Sequence, residues 1–211
     1  IYPIFNGDCV RFLAYDFDEK DWEKSSRIVV DVAKEYGFEA ALERSFSGNG
    51  AHVWIFFKED VKAKKARKMA FAILDKACEK SDCISFNSFD RIFPMQDSVP
   101  EDGMGNLILM PLVKSAATRK GSPTGTVFVD EDFKMYSDQI EYLNSLPRYT
   151  EKEIDSFLSS IEKDDFSLES VDHEYISPRW LKKLPEVSEK DVKSEMLEAV
   201  LSSGITLSKN S

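Results

Sequence analysis

The order of apolar and polar positions divides the chain into alternating strand and helix segments. "CVRFLAYD" (9–16) is an apolar run that predicts a strand. Residues 21–36 follow at helical spacing, with Trp22, Ile28, Val29, Val32, Ala33 and Tyr36 on one side and Gly37 as the stop. "FEAALER" (38–44) and "AHVWIFF" (51–57) predict two further strands around the loop "SFSGNG", the second apolar enough to be central. Residues 61–80 carry Ala66, Met69, Ala70, Ile73, Leu74 and Ala77 as a helical stripe. The lysines opposite that stripe predict a solvated face rather than a binding patch.

Further along, "CISFNSF" (83–89), "NLILMPL" (106–112) and "TVFVD" (126–130) read as strands, the middle one buried. Phe93–Gly105 is irregular and rich in Pro and Gly, residues 114–125 form a basic loop, and 137–145 a short helix. Past Pro147 the pattern changes to amphipathic helices near 151–162 and 188–202 joined by an acidic linker. The expected architecture is α+β, with a catalytic-size domain over 1–148 and an acidic helical extension, or a linker to a following domain, over 149–211.

Composition narrows the function classes. The net charge is −10, and residues 151–211 hold 8 Lys+Arg against 14 Asp+Glu while the other 150 hold 20 against 24. Neither part is the basic body of a tight duplex-DNA binder, so any nucleic-acid binding must be local, metal-assisted or shared with another domain. No apolar run approaches the roughly 18 residues that span a membrane, so no membrane partner is expected. Cys9, Cys78 and Cys83 form no CxxC pair, which points away from zinc or a disulfide framework and toward a reducing cytoplasm. The opening Ile1 in place of methionine predicts that further residues precede it.

Three stretches carry candidate chemistry. In "FLAYDFDEKDW" alternation puts Asp16 and Asp18 on one strand face, their Cα atoms roughly 6.6 Å apart, with Phe17 on the other. Carboxylates that close need a neutraliser, and a divalent cation held through oxygen is the usual one. The plainer reading makes Asp18 a helix N-cap and Asp16 a solvated acid. In "SGNGAHVW" the small residues Ser47, Gly48, Asn49 and Gly50 leave backbone N–H groups open to an anion, and His52 opens the next strand within reach of it. A hairpin turn followed by a core histidine fits the same residues. "FDRIFPMQD" adds Asp90 and Asp97. Together the three supply acidic metal ligands and a phosphate cradle, the parts of two-metal nucleotidyl transfer.

The order of these motifs resembles the archaeo-eukaryotic primase superfamily, the primase-polymerases. "FLAYDFDEKDW", "LERSFSGNGAHVWIFF", "FDRIFPMQD" and "GNLILMPL" are similar, over roughly residues 1–150, to the primase domain of TOTE conflict systems. The resemblance implies an RRM-like sheet packed with a second α/β unit and an active site between them. It implies Asp16, Asp18 and Asp90 as ligands of two Mg²⁺ or Mn²⁺ ions, and Ser47 and His52, with the loop Gly48–Gly50, as contacts to nucleoside triphosphate. It also implies a single-stranded or primed DNA template and a helicase domain in the same full-length chain.

Two departures stand out. Members commonly read "SRSGNGAHVW" where this chain has Phe46, and carry an acid where it has Asn87. A third ligand at position 87 would make the chain a non-catalytic binding module of the same fold. A metal-dependent nuclease is a weaker alternative, because the phosphate loop suits a triphosphate better than a duplex backbone. Asp90 is preferred, with Asp97 as the fallback, because it directly follows a hydrophobic residue and belongs to the better-matched "DRxFPxQD" segment. Alternation groups Phe86, Ser88 and Asp90 on one face and turns Asn87 to the other. The expected geometry places Asp90 within metal-bridging reach of Asp16 and Asp18, His52 at the mouth of the same cleft, and Asp97 further out.

Overall fold

The computed structural model describes residues 1–163 apart from 6, 19, 81–87, 100–102, 104 and 114–124. The chain divides into two units, Ile1–His173 and Glu174–Ser211, and all described residues belong to the first. Along it run β1 (Cys9–Asp18), α1 (Trp22–Glu35), β2 (Ala41–Arg44), β3 (Gly50–Lys62), α2 (Ala63–Lys80), β4 (Phe89–Phe93), β5 (Val127–Phe128), α3 (Gln139–Ser145), β6 (Arg148–Tyr149) and α4 (Glu151–Lys163). The fold is α+β. Its six-stranded sheet has the order β4-β1-β3-β2-β5, with β6 added to β3. Among the described strands only the β3–β6 pair is parallel.

The unbroken apolar run of β1 arises because both sheet faces are covered. On one face lie α1 and α2, where the buried Tyr15 hydroxyl donates to the Ala70 carbonyl of α2 at 2.8 Å. On the other, Phe12, Ala14, Ala41, Trp54, Phe93, Ile108, Phe128 and Leu146 form a second core, with Tyr142 and Leu143 of α3 packed against it. Helix α1 stops where the chain turns left-handed at Gly37 (φ 86°). Gly37 N–H donates to Lys34 O (3.0 Å) and Phe38 N–H to Ala33 O (2.8 Å), a Schellman stop that a side chain at Gly37 would strain. Residues 38–40 are consumed by this stop, so β2 begins at Ala41 rather than Phe38.

Acids meet much of the lysine-rich run on α2. Lys65 contacts Glu151 and Asp155 of α4 (2.6 and 2.7 Å), Arg67 contacts Asp97 (2.5 Å), Lys76 contacts Glu79 (3.3 Å), and Lys80 pairs with Glu35. Helix α4 buries Ile154, Phe157, Leu158 and Ile161, with the Phe157 ring 5.2 Å from Phe38 and 5.3 Å from Tyr36. Buried apolar surface thus continues past residue 148.

Two sequence expectations change here. "NLILMPL" forms no strand: Ile1 exchanges two hydrogen bonds with Ile108 (2.6 and 3.0 Å) and Thr126 Oγ1 donates to Met110 O (3.4 Å), but among the described residues no ladder pairs with it. Ile108 is buried while Leu107, Leu109 and Met110 are exposed, so an apolar run does not by itself specify a ladder. Asp90 does not end a strand either; it lies inside β4, which starts at Phe89. Of the other expectations, the 83–87 part of "CISFNSF" with Cys83 and Asn87, the loop 114–124 and the helix 188–202 lie outside the described residues. Cys9 is a free thiol and Cys78 is buried. Among the described residues no helix is long and apolar enough to cross a membrane.

Candidate active site

Register builds the site. On the face away from α1 and α2, Phe93, Ala14, Trp54 and Ala41 pair across four strands as an apolar row. Two residues further along each strand stands a polar row in the same register, Arg91, Asp16, His52 and Glu43. The next step on β1 is Asp18, paired with Gly50. Because the side-chain period is two, the polar row lies on the same face as the apolar one and forms its open end.

Asp90 joins this row through a β-bulge. Asp16 pairs with Arg91 but the adjacent Phe17 pairs with Phe89, so β4 carries one residue more than β1 at that point. In regular pairing Asp90 would face Phe17 on the helix side. The bulge instead opposes both Asp90 and Arg91 to Asp16. One oxygen from each of Asp16, Asp18 and Asp90 then lies within 4.8 Å of the others. Asp97 is elsewhere, paired with Arg67. Asp18 is no N-cap: that position in α1 belongs to Asp21, which makes no side-chain capping bond.

The donor set fits a divalent cation. Three carboxylates supply hard oxygen donors, which suits Mg²⁺ or Mn²⁺ rather than zinc. Within the cluster, burial pushes the Asp16 carboxyl up to about 6; His52 pulls it back, Asp18 and Asp90 add to the rise, and Arg91 opposes it. Arg91 also holds Asp90, with guanidinium nitrogens 2.5 Å from Oδ2. A cation must displace the proton that Asp16 keeps below its pKa. Affinity for Mg²⁺ or Mn²⁺ should therefore drop by up to about tenfold per pH unit below that value and level off above it. Calorimetric titrations in buffers of different ionisation enthalpy count the released proton; a pH-independent affinity with no proton release is the contrary result.

His52 lies near the start of β3, as expected, and is buried beside Asp16. Its Nε2 is 3.5 Å from Asp16 Oδ1, and its Nδ1 is 2.8 Å from Glu43 Oε2. Burial works against a charge on the ring. The hydrogen bond and charge of Glu43, with Asp16 and Asp18, outweigh it and hold the imidazolium above its ordinary range. Glu43 was not singled out from the sequence. It is fully buried, and the same Oε2 also accepts from Trp54 Nε1 at 2.7 Å.

The turn that precedes His52 is tight. Ser45 N–H donates to Gly50 O (2.8 Å), Gly48 N–H to Ser45 O (2.9 Å) and Asn49 N–H to Ser47 Oγ (3.2 Å). Three of the loop's amides are thus engaged within the turn, while Ser47 and Asn49 stay exposed. Gly50 is sterically required: a Cβ there would stand 2.2 Å from Asp18 Oδ1 and 2.6 Å from Phe17 O. The carbonyl belongs to a central strand and cannot give way easily. Gly50→Ala should therefore displace Asp18, weaken metal binding by about tenfold or more, and cost roughly 1–3 kcal/mol of stability. Metal titration together with a denaturant midpoint checks both effects; wild-type values for both are the contrary result.

A search of curated proteins finds no match. The family described as "TOTE conflict system, Archaeo-Eukaryotic Primase domain" matches residues 1–157, three quarters of the chain and every element that builds this site. The chain therefore belongs to the archaeo-eukaryotic primase domains of TOTE conflict systems, a primase-polymerase type of nucleotidyltransferase module.

Proposed function

We propose that this domain is a metal-dependent, template-directed DNA primase-polymerase acting within a larger, helicase-containing protein. The observation that carries the reading is the convergence of Asp16, Asp18 and Asp90 within 4.8 Å, the third brought in by a bulge. Asp16, Asp18 and Asp90 would hold two Mg²⁺ or Mn²⁺ ions, which would supply activation of the attacking 3′-hydroxyl and neutralisation of the triphosphate charge. Asp16, whose carboxyl burial pushes up to about 6, must lose its proton first.

Ser47 and Asn49 at the exposed turn meet the triphosphate, with Gly48 and Gly50 shaping the turn. His52, as imidazolium, donates its Nε2–H to a phosphate oxygen, a charge-assisted bond held in place before the substrate arrives. Arg91 balances Asp90, a charge that bound metal would also neutralise. The template is single-stranded or primed DNA, gripped lightly, because this unit lacks a large excess of cations. The ion-paired helix α2 lies on the sheet face away from the site, so its lysines do not supply that grip at the chemistry.

The test incubates the full chain with labelled nucleotides, a primed single-stranded template and Mn²⁺. Primer extension is the expected result. Nucleotide binding without extension favours the non-catalytic module to which Phe46 and Asn87 point, and loss of template favours a nuclease.

A further inference from the structure

We propose that Glu43 is a positioning residue. It fixes His52 with Nδ1 protonated and Nε2 turned toward Asp16, where the triphosphate would arrive. The inference rests on the reading of His52 as a phosphate contact and adds how that contact is oriented.

The 2.8 Å contact joins His52 Nδ1 to Glu43 Oε2, and with that oxygen as the acceptor it places a ring proton on Nδ1. The same oxygen receives the indole N–H of Trp54 at 2.7 Å. An indole nitrogen can only donate, so Trp54 holds the carboxylate in place whatever His52 does. Trp54 is itself anchored in the second core, 1% exposed, with its ring 5.1 Å from Phe12 and stacked on Phe56. The chain of constraint runs from core to Trp54, from Trp54 to Glu43, and from Glu43 to His52.

A purely structural Glu43 makes poor physical sense. The residue is 0% exposed, its other oxygen Oε1 has no hydrogen-bond partner, and among the described residues no lysine or arginine pairs with it. Strand pairing at this position needs only the backbone, and an apolar side chain there would avoid burying a carboxyl oxygen without a partner. Glu43 lies directly opposite His52 in the β2–β3 register. What it supplies that a leucine would not is an acceptor for the ring, the pattern by which a histidine's second nitrogen is oriented.

The experiment uses the full chain labelled with ¹⁵N-histidine. It has two histidines, and His173→Gln identifies the His52 resonances. In the wild type, long-range ¹H–¹⁵N spectra should show a protonated Nδ1 on His52. Glu43→Gln keeps an acceptor oxygen and should keep that signature; Glu43→Leu should lose it. Affinity for a nucleoside triphosphate with Mg²⁺ should fall about tenfold or more in Glu43→Leu, as in His52→Ala. The double variant should fall no further than either single one, as expected of residues acting as a unit. A bare Nδ1 in the wild type, wild-type affinity in Glu43→Leu, or losses that multiply in the double variant overturn the role of Glu43. If Glu43→Leu does not fold, the wild-type and Glu43→Gln spectra decide. Full triphosphate affinity in His52→Ala instead overturns the phosphate reading of His52.

Discussion

Asp16→Asn and Asp18→Asn should each lower nucleotide incorporation by about a thousandfold while leaving the fold intact. Removing one ligand from a two-metal site forfeits several kcal/mol of charge stabilisation, and each ~1.4 kcal/mol is tenfold in rate. The stability side has a definite sign for Asp16. Its carboxyl sits at about 6 in the folded protein, above the ordinary 3.8, so the folded state binds the proton more tightly than the unfolded one. Folding is thereby favoured below the ordinary value and loses that contribution as pH rises through about 6. Neutralising the position in the metal-free protein should leave stability at neutral pH unchanged or higher. Asp90→Asn differs, because it strips Arg91 of an exposed partner worth roughly 0–1 kcal/mol, and its metal-free stability should dip slightly. Incorporation assays paired with thermal melts of the metal-free variants measure both quantities. A variant with a native melt and wild-type incorporation removes that residue from the site.

The path to Asp90 shows where sequence periodicity stops being informative. Alternation correctly places Asp16 and Asp18 on one face, because β1 is regular from Phe12 to Asp18 on its β3 side. The same rule applied to "SFNSFDR" assumes a strand ending at Asp90. The chain instead begins its ladder at Phe89 and inserts a bulge at Asp90. A bulge is a property of two strands in register, so no periodicity within one strand contains it. The residue was reachable from its motif, not from its spacing.

Glu43 is the opposite case: the signal was present and unused. In "ALER", Ala41 and Glu43 share a face, and Ser45 and Gly50 close the turn that fixes the hairpin register. Counting back from that closure puts 44 opposite 51 and 43 opposite 52. An acid at the buried end of a short strand, facing the only histidine of the motif, was therefore legible once the turn was defined. Its full burial was not, since that depends on Trp54 and Phe128 arriving from other parts of the chain. Similarly, "NLILMPL" has the composition of a buried strand, but strand formation needs a partner ladder, and among the described residues it meets isolated partners instead, Ile1 at Ile108 and Thr126 at Met110.

A chain ended after residue 148 should be far less stable than one ended after Lys163, so we place the functional boundary beyond α4. That helix buries Ile154, Phe157, Leu158 and Ile161, each worth roughly 1.5–3 kcal/mol by removal from water. Even discounted for a compact unfolded state, the sum approaches the whole stability of an ordinary domain, about 5–15 kcal/mol. Truncation would also uncover Phe38 and Tyr36, against which Phe157 packs, and free Lys65 from Glu151 and Asp155. The loss reaches the site through β3, which packs against α4 at one end and carries Gly50 and His52 at the other. The shorter chain should aggregate or melt without a cooperative transition, and nucleotide incorporation should vanish with it. The longer chain should melt as sharply as the full one. Ile154→Ala in the full chain isolates the packing effect and should cost about 2–5 kcal/mol. Equal melting of the two truncated chains would place the boundary back at residue 148 and make α4 an appendage.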